Sequence, residues 1–258
     1  MLLEAIAAAY AAVAGLIVGS YLNVVIHRLP RGMSTVLPRS RCPACGAAIR
    51  ARDNLPLASW LLLGGRCRAC AAPIAWRYPA VEAATALLFA GCVARFGVSV
   101  EAAAAALLCA LLVALAVIDL EHLLLPDRIT LPGIAAGVAL QPWLAWGVGV
   151  RGALLGAALG GGLLLALYGL WYLLRREEGL GLGDVKMLAM IGAFLGWRGV
   201  VVTLFCGSLA GALFGLALIR AGRGHRKTRL PLGTFLAFGA VVALFAGAPL
   251  MGAYLRLL

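Results

Sequence analysis

Gly181-Leu182-Gly183-Asp184-Val185-Lys186 joins two apolar segments and sets a carboxylate and an amine at a membrane boundary. Acidic residues are scarce in this chain, ten against twenty-two lysines and arginines, so one placed beside an apolar span is a functional candidate by default. Gly181 and Gly183 can take backbone conformations closed to other residues and let a second segment approach closely. Taken alone, the hexapeptide also fits an ordinary polar loop tip. The two readings part on whether another region of the chain supplies a partner for Asp184.

Working outward, the 258-residue chain is 64% hydrophobic and 12% charged, more apolar than a soluble domain of this size requires. Apolar runs of about 20 residues recur, which predicts an all-α polytopic membrane protein. About eight transmembrane helices are expected. They run from Leu2 to Ile26, Pro79 to Arg95, Ala102 to Ile118, Ile129 to Leu144 and Gly152 to Leu174, then through a short segment reaching Trp197, and on from Val200 to Ile219 and Leu230 to Leu255. The N-terminus lacks a basic n-region and a small-residue cleavage site, so the first helix is expected to be retained. Glycines four residues apart, at Gly15/Gly19, Gly152/Gly156/Gly160 and Gly207/Gly211/Gly215, predict seams of close helix packing rather than nucleotide loops.

Residues 28–78 differ in character and divide the chain into a first helix (1–27), a polar insertion (28–78) and a membrane core (79–258). The insertion holds nine arginines and two Cys-x-x-Cys knuckles, Cys42/Cys45 and Cys67/Cys70, separated by 21 residues. A two-residue spacer lets both thiolates of a knuckle reach one ion, and two knuckles complete a closed tetrahedral zinc site. A pair of disulfides is the competing reading and needs an oxidising compartment, whereas the arginines place the loop in the cytoplasm. Four thiolates leave no open coordination position, so the zinc is expected to be structural and to supply much of the folding energy of a loop with little core of its own.

Eight spans place the loops near residues 28–78, 119–128, 175–186 and 220–229 on one side, and these hold 18 of the 22 lysines and arginines. The bias puts that side in the cytoplasm and both termini outside. The net charge of +12 is then a consequence of topology, and no nucleic-acid partner is expected. Asp119 and Asp184 fall on the same cytoplasmic face. Two neighbouring carboxylates share one proton, one serving as base and the other as acid, and such a dyad can activate water against a peptide carbonyl. The same acids would also serve an ion-coupled transporter, although such acids belong near the bilayer midplane. A zinc-stabilised scaffold without catalysis is a third reading. His122 is either a base or an interfacial polar residue, and Cys92, Cys109 and Cys206 read as core thiols.

The ordered set of motifs resembles the bacterial type IV prepilin peptidases, a branch of the GxGD aspartic membrane proteases. It comprises Gly181-x-Gly183-Asp184 with Val185-Lys186-Met187-Leu188, Ile118-Asp119-Leu120-Glu121-His122 with Leu125-Pro126-Asp127, the stretch from Asn23 to Pro30, the cysteine knuckles, and Arg77-Tyr78-Pro79-x-Val81-Glu82. The resemblance spans about Gly19 to Phe238. It implies a cytoplasm-facing dyad of Asp119 and Asp184 in the inner membrane, and cleavage of prepilins or pseudopilins at the leader boundary. It also implies N-methylation of the new amino terminus with S-adenosylmethionine, an activity associated with the cysteine-bearing region. Asp119 fits the family's catalytic position, and Asp127 caps or positions the next helix. Lys186 would support Asp184, orient the leader boundary, or anchor the chain at the interface. Pro231-Leu232-Gly233-Thr234-Phe235 departs from the Pro-Phe-Gly-Pro-Phe expected in the family.

Overall fold

The computed structural model describes residues 2–146, 148–176, 181–223 and 230–255. Glu177 and Glu178, and His225, Arg226, Lys227 and Arg229 of the basic loop, lie outside the described residues. The named elements are helices: α1 (Leu2–Arg28), α2 (Ala58–Leu62), α3 (Arg77–Phe96), α4 (Val100–His122), α5 (Asp127–Leu140), α6 (Gly149–Arg175), α7 (Leu182–Arg220) and α8 (Leu232–Leu255), with short 3-10 turns between some of them. The all-α architecture expected from the apolar runs is therefore present. α1, α3, α4, α6 and α7 are long and apolar enough to cross a membrane, and α8 carries a shorter apolar stretch, Leu232–Gly247. α5 has 14 residues. At about 1.5 Å per residue it is shorter than the ~30 Å hydrocarbon core.

The chain forms two compact units, residues 1–114 and 115–258, which divide within α4. In the first unit α1 packs on α3 through the predicted glycine seam. A Cβ on Gly15 would lie 2.7 Å from the Ala86 Cα, and one on Gly19 would lie 2.8 Å from the Glu82 Cα. Asn23 sits one turn further along and is buried. Its amide donates to the Gly19 carbonyl (3.3 Å) and to the Tyr78 carbonyl (3.1 Å), fixing the polar end of α1 to the start of α3.

In the second unit α6 and α7 meet backbone to backbone. A Cβ on Gly156 would lie 2.3 Å from the Gly192 oxygen, and one on Gly160 would lie 2.7 Å from the Leu188 oxygen. Position numbers fall along α6 as they rise along α7, so the two run antiparallel. α7 is 39 residues long, but Gly196 interrupts it with φ 67° and ψ −175°. Beyond that glycine, Thr203 lies against Gly239, Gly207 against Phe235 and Gly215 against Leu230, so the second half of α7 runs antiparallel to α8. Gly183 at the start of α7 and Gly233 at the start of α8 both meet Leu125. The two ends of α7 therefore lie at the same end of the unit, and the chain turns back at Gly196. This break falls one residue from the expected end of the sixth segment.

The seam makes a test. Gly156→Leu forces the α6 and α7 backbones apart and should cost about 1–3 kcal/mol, read as a lowered melting temperature of the detergent-solubilised protein. Gly162 meets nothing within 4 Å. Gly162→Ala should leave the melting temperature unchanged or raise it slightly.

Candidate active site

Asp119 lies in the last turn of α4 and Asp184 in the first turn of α7. Both are buried, at 5% and 9% exposure, and the two carboxyl groups lie near enough to interact. Their surroundings differ. The backbone N–H of Thr234 donates to Asp119 Oδ2 at 3.0 Å, and the Thr234 hydroxyl donates to the Ala116 carbonyl at 2.9 Å. α8 begins at Leu232, so that N–H belongs to its first turn and has no acceptor within its own helix. The positive end of α8 thus meets the Asp119 carboxylate, an arrangement that favours negative charge there. Asp184 is folded back over Gly181, where an added Cβ would lie 3.1 Å from Asp184 Oδ2.

Leu125, in the turn between α4 and α5, joins these pieces. A Cβ on Gly183 would fall 2.8 Å from the Leu125 Cβ, and one on Gly233 would fall 2.9 Å from Leu125 Cδ1 and 3.0 Å from Asp119 Oδ2. The glycines at 183 and 233 are thus places of close approach, and any side chain there would displace Leu125 or the carboxylate. Lys186 has a partner other than those expected from the sequence. Its Nζ lies 2.6 Å from Oδ1 of Asp127, the first residue of α5. The pair ties the start of α5 to the start of α7. His122 lies at the end of α4 with Nε2 3.9 Å from Glu121 Oε2. Leu125 enters the sequence reading only as part of the Leu125-Pro126-Asp127 motif, and Thr234 carries no signal as a site residue there. Only the departure from the expected proline marks position 234.

The four knuckle cysteines converge, with one ligand atom from each lying within 4.8 Å of the others. Cys42 Sγ and Cys70 Sγ are 3.9 Å apart. Four sulfurs at about 2.3 Å from a tetrahedral ion stand roughly 3.8 Å from one another, so the cluster fits zinc. The knuckles are built alike. Gly46 N–H donates to the Cys42 carbonyl (2.9 Å) and Ala71 N–H to the Cys67 carbonyl (2.8 Å). The residue after each second cysteine is left-handed, Gly46 at φ 71° and Ala71 at φ 57°. The N–H groups of Cys45 and Ala44 at the Cys42 sulfur bring its thiol down to about 7, toward the thiolate a metal needs. Arg68 in the second knuckle makes a forked pair with Asp53, at 2.7 Å for the closest contact. Cys92 and Cys109 are buried core thiols, and Cys206 is partly exposed.

Comparison with known proteins gives these residues a context. Residues 13–96 match the family model for the bacterial peptidase A24 N-terminal domain, and residues 106–216 match that of the type IV leader peptidase family. A protein of Burkholderia pseudomallei is 41% identical, with 93% of this chain aligned to 86% of its own length. The chain belongs to the type IV leader peptidase family. The Burkholderia protein is named prepilin leader peptidase/N-methyltransferase. Two relatives carry the same name: one from Myxococcus xanthus, 48% identical over 84% of this chain and 64% of its own, and one from Pseudomonas aeruginosa, 38% identical over 94% and 91%. No solved structure matches the chain. The two family models divide between α3 and α4, near the boundary of the two compact units.

Replacing Cys42 and Cys67 with Ser removes one thiolate from each knuckle. Purified wild-type protein is expected to carry about one zinc per chain by elemental mass spectrometry, and the double variant almost none. The same variant should show early proteolysis within residues 28–78.

Proposed function

We propose that this chain is a membrane aspartic endopeptidase that removes the leader peptide of type IV prepilins or pseudopilins at the cytoplasmic face of the bacterial inner membrane, and that it N-methylates the new amino terminus with S-adenosylmethionine. The observation that carries the peptidase reading is the pairing of two buried carboxylates, Asp119 and Asp184, at adjoining helix ends. One carboxylate takes a proton from water as the water attacks the scissile carbonyl. The other gives its proton to the departing amine, and no bond forms between enzyme and substrate. The arrangement at Asp119, where the N-terminus of α8 meets the carboxylate, supports its use as the charged member. Lys186 and Asp127 act as a clamp beside the dyad and Leu125 as its spacer.

The depth of the acids fits the substrate. A prepilin has a short basic leader followed by a hydrophobic helix, so the bond to be cut lies at the interface rather than at the midplane. Asp119 is three residues from the end of α4, and Asp184 is the third residue of α7. A carrier with inverted repeats would hold its acids at mid-depth. In this reading residues 79–258 form the peptidase core, eight crossings leave both termini outside, and residues 28–78 fold on the cytoplasmic side around a structural zinc held by Cys42, Cys45, Cys67 and Cys70. The methylating activity rests on the name shared by the relatives and on the match of the first unit to its own family model. S-adenosylmethionine supplies an electrophilic methyl group.

The test uses purified protein in lipid, a prepilin with its leader, and S-adenosylmethionine, followed by mass. The wild type should release the leader and add one methyl group to the mature pilin. Asp184→Asn or Asp119→Asn should lower cleavage by at least about a thousandfold while the melting temperature stays within a few degrees. Cleavage by both variants at the wild-type rate would exclude the dyad.

A further inference from the structure

Between Arg28 and Pro56 the chain carries six arginines and one acid, Asp53, whose carboxylate Arg68 already holds in a forked pair. Neither the carboxylate dyad nor the cysteine cluster gives that charge a task. This stretch faces one side of α1, and the space between them is a groove of about 660 Å³. Small-molecule sites commonly enclose roughly 300–1,000 Å³. On α1 the groove is lined by Ile17, Ser20, Tyr21, Val24 and Arg28. Steps of three and four residues keep these positions on one helix face. The stripe is apolar at Ile17 and ends in the guanidinium of Arg28, the last residue of a helix long and apolar enough to cross a membrane. Those two positions are about 16 Å apart along the helix axis, at about 1.5 Å per residue. One leaflet of the hydrocarbon core is about 15 Å deep, half of the ~30 Å whole.

The charged groups of the groove are all of one sign. Arg28 Nη1 donates to the Ser34 carbonyl at 3.0 Å and Nη2 to the Pro38 carbonyl at 2.7 Å. These bonds hold the guanidinium in place and use two of its five N–H groups, leaving the others to give. Arg39 follows Pro38 directly and also lines the groove, together with Thr35 and Ser40. No carboxylate is among the lining residues. Ile17 and Tyr21 on α1, and Val36 and Leu55 on the facing segment, are exposed. The groove thus joins an open apolar surface, about one leaflet long, to two guanidinium groups with no acid to balance them.

We propose that this groove binds one anionic phospholipid, with an acyl chain along the α1 stripe from Val24 to Ile17 and the phosphate on Arg28 and Arg39. Guanidinium groups hold phosphate oxygens through paired, charge-assisted N–H bonds. Basic clusters at the end of a membrane helix recognise anionic headgroups. Every phospholipid carries a phosphate, so discrimination falls on what lies beyond it. The ammonium of phosphatidylethanolamine would meet two guanidinium groups and find no carboxylate. The glycerol of phosphatidylglycerol brings no cation and can bond to Thr35 and Ser40. A soluble anion would satisfy the arginines but leave the apolar stripe bare. The lipid would bridge α1 to the facing segment beside the Arg28 bonds and the contact between the Tyr21 and Thr35 hydroxyls, 3.4 Å apart. The inference requires α1 to lie in a bilayer and is independent of the peptidase and methylation readings.

The test titrates delipidated full-length protein in neutral detergent with phosphatidylglycerol or phosphatidylethanolamine of the same acyl chains, and counts bound lipid per chain by native mass spectrometry. Zinc content and melting temperature report whether each variant is folded. One arginine near an anionic headgroup contributes roughly fivefold in affinity, so the wild type should take up one phosphatidylglycerol about tenfold or more tightly than phosphatidylethanolamine, and Arg39→Gln should lose roughly fivefold of that. Arg66→Gln, in the same insertion but outside the groove, should bind like the wild type. Val24→Trp fills the stripe and should abolish the site for both lipids. Equal affinity of the wild type for the two lipids would overturn the proposal. So would equal losses in Arg39→Gln and Arg66→Gln, which would mean diffuse surface charge. Displacement of the lipid by glycerol phosphate would also overturn it, because the groove would then be a site for soluble anions. If Arg39→Gln does not fold, Val24→Trp decides, and wild-type binding by that variant overturns the assignment equally.

Discussion

Leu125 fills space that two glycines leave open. It presses on Gly183 at the start of α7 and on Gly233 at the start of α8, closer than any side chain at either position would permit. That contact brings three helix ends together: the end of α4 with Asp119, the start of α7 with Asp184, and the start of α8 with the Thr234 N–H that Asp119 accepts. Two carboxylates in a largely apolar bundle are costly to bury unless partners are supplied at the same place. The α8 terminus and the close packing around Leu125 supply that setting. The Lys186–Asp127 pair holds the neighbouring start of α5 in register.

Much of this was legible in the sequence because its signals are local. A Cys-x-x-Cys knuckle needs only a tight turn, and both turns form with the same hydrogen bonds and the same left-handed residue after the second cysteine. Glycines four apart mark one helix face, and at Gly15, Gly19, Gly156, Gly160 and Gly207 that face is met by another backbone. The break expected near Trp197 falls at Gly196, where the chain turns. The bond from Thr234 to Asp119 joins residues 115 apart, and that from Lys186 to Asp127 joins residues 59 apart. No local pattern encodes such partners. The resemblance led to a proline expected at 234, which would have no N–H to give, so the contact with Asp119 follows from this chain's own residue.

In the proposed reading the two units carry two kinds of chemistry. Peptide hydrolysis needs water, a paired base and acid, and a position at interfacial depth, which the second unit offers. Methyl transfer needs no acid–base dyad but a shaped site for a cationic donor. In the first unit α1 and α3 are locked together by Gly15, Gly19 and Asn23.

The central claim is that Asp119 and Asp184 work as one unit, and the rate of leader release by the Asp119→Asn/Asp184→Asn double variant tests it most directly. Groups that act together lose nearly everything when either is removed. The double variant should therefore be about as slow as the slower single variant, with kcat rather than KM carrying the loss. A double variant slower by the product of the two single effects would contradict the account, because it would show two carboxylates contributing independently.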